Sequence, residues 1–227
     1  MVYFAKGKEL QCLRCGKTEV ANIICSNGHY ICDTCHGKDV FALIRDYVLN
    51  TTCKNPLEIA ETLMDYQDIV PMLGCENAWI AAGALMAAIK NEGTLKITND
   101  QIIEVLSRTQ RQAIGGYCGL TGVCGIAPAI GACFSVILGA ACPKDRETAI
   151  TMKVVSKIIN AIAQETGPCC CKNFVRTALA ESTQLAQKYM HLTMPTALPE
   201  PIICAHVERH PHGCRQKRCA YYPYAHS

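Results

Sequence analysis

Cysteine is the most informative residue type in this sequence, with 17 cysteines among 227 residues, mostly in close pairs and triplets. Two of the pairs have the spacing Cys-x2-Cys: Cys12 with Cys15, and Cys32 with Cys35. This spacing is typical of zinc knuckles, tight turns that direct two thiolates toward one tetrahedral ion. We therefore predict that residues 1–38 form a zinc-knuckle module in which these four cysteines bind Zn²⁺. Reactive thiols, or a single iron ion in the same geometry, are the alternatives.

Between the two pairs, Cys25 and His29 are separated by three residues. This part of the module resembles the middle of a truncated RING finger, in which such a pair begins a second zinc site. A RING finger needs a further Cys-x2-Cys pair, but after Cys35 the sequence offers only the separate residues Cys53 and Cys75. Cys25 and His29 are candidate ligands of a second metal, or residues that pack beside the first.

A second set of cysteines lies in the middle of the chain. Cys118 and Cys124 stand among closely spaced glycines, which let the backbone approach a bulky group and leave N–H groups free to point at cluster sulfur. The run Cys169-Cys170-Cys171 follows later, and its three consecutive side chains cannot all face one point. We predict that one or two of them join Cys118 and Cys124 around an iron–sulfur cluster, and tightly packed, inert cysteines are the alternative.

The same run supplies the first candidates for a catalytic thiol. Cys169, Cys170 and Cys171 precede a predicted helix and lie beside Lys172 and Arg176, a setting that should depress their pKa values and favour thiolates. The second candidates are Cys75 and Glu76, which open another predicted helix. Glu76 is placed there for general acid–base catalysis, or simply to interact favourably with the helix dipole.

The C-terminal segment, residues 199–227, is a Cys/His-rich tail that follows a proline-rich linker. Its potential ligands include Cys204, Cys214 and Cys219. Three interpretations are open: a second zinc site, extra ligands for the central site, or a flexible tail with incidental histidines.

Composition and charge limit the compartment and the classes of function that the chain could have. No apolar segment follows the N-terminal charges, so we expect no secretory signal and a cytoplasmic location. In a reducing cytosol dense cysteines favour metal binding or redox chemistry over disulfides, and an odd count precludes complete pairing. The net charge of +3 and the low aromatic content of 6% argue against nucleic-acid binding.

The charge-free stretch 114–143 is long enough for a membrane span. Its glycines and Pro128 instead favour a buried loop and a core helix.

Hydrophobic periodicity predicts a mainly α fold, with a helical Cys-rich domain over residues 39–198. Strand-like alternation is nearly absent. The predicted helices cover about 39–49, 57–67, 77–90, a segment capped by Asn99 or Asp100 and ending near Gln112, 128–141, 145–165 and 173–190.

Together the N-terminal cysteine pairs, the glycine-rich segment 115–125, the run 169–171 and the last three cysteines resemble the domain of unknown function family 5714. That family is cysteine-rich, occurs in anaerobic archaea and bacteria, alone or beside methyltransferase domains, and implies no particular activity. Its members often carry Glu-His-His where this chain has Glu76-Asn77-Ala78.

Our functional hypothesis is an iron–sulfur and zinc protein acting in electron transfer or sulfur handling, as a sulfur transferase or desulfidase, with a redox partner protein. The alternative is a zinc-stabilised adaptor that docks a partner enzyme such as a methyltransferase.

Overall fold

The N-terminal module begins with a β-hairpin that the sequence pattern did not predict. The computed structural model of the chain describes residues 2–67 and 69–223, and of Asp33 and His36 it describes the backbone. Strands β1 (Val2–Gln11) and β2 (Thr18–Ile24) pair antiparallel, with Val2 opposite Ile24 and Gln11 opposite Thr18. Most of β1 is exposed, so it lacks the apolar alternation by which a strand is recognised.

The rest of the chain is mainly helical, as predicted. The helices are α1 (Asp33–His36), α2 (Lys38–Asn50), α3 (Pro56–Met64), α4 (Glu76–Glu92), α5 (Asn99–Gln112), α6 (Tyr117–Thr121), α7 (Ile126–Leu138), α8 (Asp145–Ala163) and α9 (Cys171–Met190).

Helix α4 forms the centre of the hydrophobic core. Its residues 76–89 are all buried, and it contacts α2, α3, α5, α7 and α9. The small alanine side chains allow neighbouring helices to approach on every side of it. A helix that is apolar all round must lie inside the protein, so the start of α4 is also held in the interior.

Local signals set several helix ends. The Asn55 side chain accepts hydrogen bonds from the backbone N–H groups of Leu57 and Glu58 at the start of α3. The predicted caps of α5 were wrong, because the Thr98 side chain accepts from the Gln101 N–H and forms a reciprocal capping box.

The charge-free stretch forms two helices separated by a short loop. Helix α7 starts two residues before the predicted start at Pro128, which occupies the first turn, where its missing N–H costs nothing. It ends at Leu138 because Gly139 takes a left-handed conformation with φ 66°. Within the described residues no helix is both long and apolar enough to cross a membrane.

The C-terminal tail folds back onto the helices. The Arg209 guanidinium donates to the Gln67 carbonyl at 2.6 Å, and the Arg218 guanidinium donates to the Gly167 carbonyl at 2.7 Å. The Cys204 N–H also bonds to the Tyr221 carbonyl at 2.8 Å, closing the tail into a loop. These contacts bring the tail cysteines to the start of α9.

Candidate metal centres and thiol groups

The N-terminal module contains a compact four-cysteine site. The Sγ atoms of Cys12, Cys15, Cys32 and Cys35 all lie within 4.8 Å of one another, and two of the cysteines, Cys12 and Cys32, are buried. The hairpin turn supplies the first pair. Of the second pair, Cys32 directly precedes α1 and Cys35 lies within it. Four thiols that converge in this way can hold a metal ion.

Backbone amides prepare one thiol of this site for metal binding. The N–H groups of Cys32 and Arg14 donate to Cys12 Sγ at 3.3 and 3.4 Å. The Cys32 N–H contributes most to lowering the pKa of Cys12 to about 6. A thiol with this pKa is largely ionised at neutral pH, and the thiolate is the form that binds a metal.

Cys25 and His29 form a separate turn. The His29 N–H donates to Cys25 Sγ at 3.2 Å, and the Cys25 N–H donates to the His29 carbonyl at 3.2 Å. Neither residue belongs to the set of four converging ligands.

A second group of thiols assembles between the helices. We call it the central thiol group, and its members are Cys118, Cys124, Cys169 and Cys171. Two thiols are within electrostatic range when the charge of one affects the pKa of the other. Cys124 lies within this range of Cys118 and Cys169, and Cys171 lies within this range of Cys124 and Cys118. Cys118 and Cys169 are exposed, whereas Cys124 and Cys171 are partly buried. The group thus brings together three segments that are far apart in the sequence.

The backbone at the start of α9 separates the cysteine run into two sets. Cys170 has an extended conformation, with φ −124° and ψ 106°. Successive side chains along extended backbone point to opposite sides. Cys169 and Cys171 accordingly interact with Cys118, whereas Cys170 interacts with Cys204 and Cys219 of the tail.

The expectation of depressed pKa values in the run was wrong. Burial raises the pKa of Cys169 and Cys170, and it raises the pKa of Cys171 to about 12. It also raises the pKa of Cys124 to about 11. Removing a thiolate from water outweighs the effect of the neighbouring cations, so these four groups are neutral thiols until a metal displaces their protons.

Polar atoms at the start of α4 and α9 surround the central thiol group. The Gly74 backbone lies close to the Cys171 thiol, which places the start of α4 beside it. That turn contains the catalytic candidates Cys75, at the helix cap, and Glu76, which is buried. The Asn77 side-chain oxygen is buried too, with no hydrogen-bond partner among the described residues.

Lys172 is the most unusual polar residue near these thiols. Its side chain is fully buried, and among the described residues its ammonium group has no hydrogen-bond partner. Burial lowers the pKa of Lys172 to about 8. Its position next to the cysteine run was apparent in the sequence, but its burial depends on packing of α9 against other elements.

The tail supplies a third group of thiols around a small cavity. We call this the tail cavity. It has a volume of about 20 Å³, and its polar lining includes Cys170, Cys204, Cys214, Cys219, His206 and His210. Of the sequence candidates, the last three cysteines therefore meet Cys170, not the central thiol group.

The hairpin lies against the glycine-rich segment of the central thiol group. A Cβ atom at Gly116 would lie 2.6 Å from the Ile23 side chain, so only glycine allows this approach. Gly116 also has φ 73°, a conformation that other residues rarely adopt. Tyr3 lies within electrostatic range of Cys118 and Cys171. The hairpin therefore covers one side of the central thiol group, a role that the sequence did not suggest.

Comparison with known proteins gives one result. Neither the curated proteins nor the solved structures contain a match to this chain. A family model described as a family of unknown function, DUF5714, matches residues 44–222, which include the helices from within α2 onward and nearly all of the described tail. The match confirms the resemblance inferred from the cysteine pattern, and the chain belongs to the DUF5714 family.

Proposed function

We propose that the protein is a zinc-stabilised iron–sulfur protein that acts in electron transfer or sulfur handling. The observation that carries this proposal is the central thiol group, in which Cys118, Cys124, Cys169 and Cys171 approach from three separate segments. Four cysteines around one position are the usual ligand set of an iron–sulfur cluster. Unlike the N-terminal thiols, their sulfur atoms do not all lie within 4.8 Å of one another, which suits a cluster better than a single ion.

Charge supports the same assignment. A buried ammonium group without a partner is costly, since buried charges are normally paired. Lys172 is such a group, and it lies within electrostatic range of Cys171. Four cysteine thiolates on an iron–sulfur cluster would give the site a net negative charge. The donor set and the unpaired cation therefore fit an anionic centre at this position.

The N-terminal four-cysteine site has a structural role in this proposal. Zn²⁺ suits a closed site of four thiolates, and it replaces the hydrophobic core that so small a module lacks. Binding the ion fixes the hairpin turn, and the hairpin in turn places Ile23 and Tyr3 against the central thiol group.

The exposure of two ligands indicates how the centre would be used. Cys118 and Cys169 are exposed, so one edge of the central thiol group faces the surface and is accessible to a redox partner or a sulfur donor. A cluster held by all four cysteines would supply electron transfer, whereas one held by three would leave an iron open to bind sulfur.

The test is metal analysis of protein purified without oxygen. We expect iron and acid-labile sulfide, at least about one zinc ion per chain, and visible absorption from the cluster. Cys124→Ser should lose the iron, the sulfide and the colour while it keeps the zinc. Cys142→Ser is the matched control, because Cys142 is exposed and lies outside the group. Colourless protein after anaerobic reconstitution with iron and sulfide would overturn the proposal.

A second candidate is a zinc-stabilised adaptor for a partner enzyme such as a methyltransferase. It is favoured by the apolar surface of the N-terminal module, where Leu13 and Val20 are 68% and 66% exposed. An adaptor would be colourless, and replacing Cys169, Cys170 and Cys171 with serine would leave the activity of its partner unchanged. Loss of that activity in the triple variant, or an iron-dependent spectrum, would exclude this candidate.

A further inference from the structure

Four cysteines line the tail cavity, one from the segment before α9 and three from the tail after it. Cys170 stands immediately before α9, whereas Cys204, Cys214 and Cys219 belong to the tail. Cys170 is within electrostatic range of Cys204 and Cys219, and Cys219 is within range of Cys204 and Cys214. All four therefore line one small cavity.

The size of that space decides what it can hold. Its volume of about 20 Å³ exceeds the roughly 10–15 Å³ that a single water needs. This leaves room for one water-sized body, such as a metal ion, and none for an iron–sulfur cluster. A single ion with four thiolate ligands is the arrangement that Zn²⁺ prefers in structural sites.

The local turns at the tail cysteines repeat a feature of the N-terminal site. Cys12 Sγ accepts the backbone N–H of Arg14, two residues later, at 3.4 Å. Cys204 accepts in the same way from His206 at 3.4 Å, and Cys214 from Gln216 at 3.3 Å.

Such bonds stabilise a thiolate and orient its free lone pairs. Cys53 accepts an equivalent bond from the Asn55 N–H. Such a bond therefore agrees with a role as a metal ligand but does not identify one by itself. The assignment of the tail cysteines as ligands depends on the cavity that they share.

Two arginines, each also paired with a carboxylate, bring positive charge to the lining of the tail cavity. A zinc ion with four thiolates is a dianion, which in the interior requires cations nearby. The Arg176 side chain, 2% exposed and paired with Glu61, lies within electrostatic range of Cys204 and also lines the cavity. Arg215 lines it too, and its Nε atom is buried with no hydrogen-bond partner among the described residues.

His210 lines the tail cavity, but its ring nitrogens have other partners. His210 Nδ1 accepts the backbone N–H of His212 at 3.2 Å, so its Nε2 carries the proton and donates to the Cys169 carbonyl at 3.0 Å. Both of its ring nitrogens are thus engaged within the protein. His206, the other histidine of the lining, accepts from the Arg209 guanidinium at Nδ1 over 3.4 Å, so its Nε2 also carries the proton. The four thiols remain as the ligand set.

We propose that Cys170, Cys204, Cys214 and Cys219 form a second zinc site, which fastens the tail to the start of α9. The site would hold the extended backbone at Cys170 and so set the positions of Cys169 and Cys171 in the central thiol group. Since the four sulfurs do not all lie within 4.8 Å of one another, the ion would draw the tail inward. The site requires no iron–sulfur cluster, so it stands independently of the proposed function.

The test is the zinc content of the full chain, measured together with iron and sulfide on protein prepared without oxygen. Wild type should contain about two zinc ions per chain, and Cys170→Ser and Cys219→Ser about one. Cys171→Ser is the matched control, because Cys171 is adjacent to Cys170 but belongs to the central thiol group. This variant should keep both zinc ions and lose iron. Wild type with a single zinc, or Cys170→Ser with unchanged zinc, would overturn the second zinc site. Loss of iron but not zinc in Cys170→Ser would assign that residue to the cluster instead.

A second measurement uses only wild-type protein, in case a variant does not fold. Trypsin can cleave the tail after Arg215, Lys217 and Arg218. A chelator that removes zinc should speed cleavage at these sites, and added Zn²⁺ should restore protection. Cleavage at these sites with the same rate before and after complete zinc removal would contradict the proposal.

Discussion

The Tyr3 hydroxyl and the His212 Nε2 lie 2.9 Å apart and connect the first strand to the C-terminal tail across 209 positions of sequence. Their rings are tilted by 52°, with centroids 5.5 Å apart. Because Tyr3 is also within electrostatic range of Cys118 and Cys171, the two ends of the chain meet beside the central thiol group.

Removing this contact should expose the central thiols. Tyr3→Phe keeps the ring and loses one hydrogen bond, worth about 1 kcal/mol, so alkylation of Cys124 and Cys171 should accelerate only modestly. Tyr3→Ala also removes the ring and should accelerate it further. Mass spectrometry of iodoacetamide-treated protein measures both rates. Equal rates in wild type and Tyr3→Ala would show that the hairpin does not cover these thiols.

The N-terminal metal site should depend on its four cysteines and not on the nearby Cys25. Cys32→Ser should remove about one metal ion per chain and lower the thermal unfolding temperature, because Cys32 is a buried member of the set. Cys25→Ser is the control and should retain the full metal content. If Cys25→Ser lost metal to the same extent, Cys25 would have to be counted as a ligand.

The ion pair between Arg176 and Glu61 should contribute strongly to stability. The guanidinium donates two hydrogen bonds of 2.7 Å to the carboxylate, and Arg176 is almost completely buried. Glu61→Gln leaves a buried charge uncompensated, which should reduce the free energy of unfolding by about 3 kcal/mol.

Urea denaturation measures this change. Glu104→Gln is the matched control, since the Arg108–Glu104 pair is exposed and should cost less than about 1 kcal/mol. A loss of similar size in both variants would contradict the importance of burial.

Helices α7 and α8 should be sensitive to any side chain at Gly131. A Cβ atom there would clash with the Val155 side chain. Gly131→Ala should therefore reduce the free energy of unfolding by about 1–3 kcal/mol, the usual cost of overpacking. Gly119→Ala is the control, because a Cβ at Gly119 meets nothing within 4 Å. Thermal and urea unfolding of both variants tests this, and a stabilised Gly131→Ala would contradict it.

Two cysteines of the charge-free stretch should differ in reactivity. Cys133 is fully buried, donates its thiol hydrogen to the Ala129 carbonyl at 3.4 Å, and has a pKa raised by burial. Cys142 is exposed. In folded protein at pH 8, iodoacetamide should label Cys142 and leave Cys133 unmodified, as peptide mapping would show. Labelling of Cys133 before unfolding would mean that α7 opens.

Local sequence patterns determined several parts of this protein. The two Cys-x2-Cys pairs each lie in a short turn, so their spacing alone predicted that the four thiols could share a metal. Helix periodicity predicted the mainly α fold, and Asn55 with Pro56 marks the start of α3. The cap of α5 shows the limit of such signals, because Thr98, Asn99 and Asp100 are all suitable caps and only the capping box with Gln101 selects the first.

Tertiary structure decided the features that depend on distant segments. The cysteine run offered three equivalent thiols, and the extended backbone at Cys170 assigned that residue to the tail and its neighbours to the central thiol group. The raised pKa of Cys171 and the buried Lys172 likewise follow from packing around α9. Spacing specifies only which residues share a turn. Burial and long-range contacts depend on how helices, hairpin and tail pack, and this packing determines the environment of each thiol.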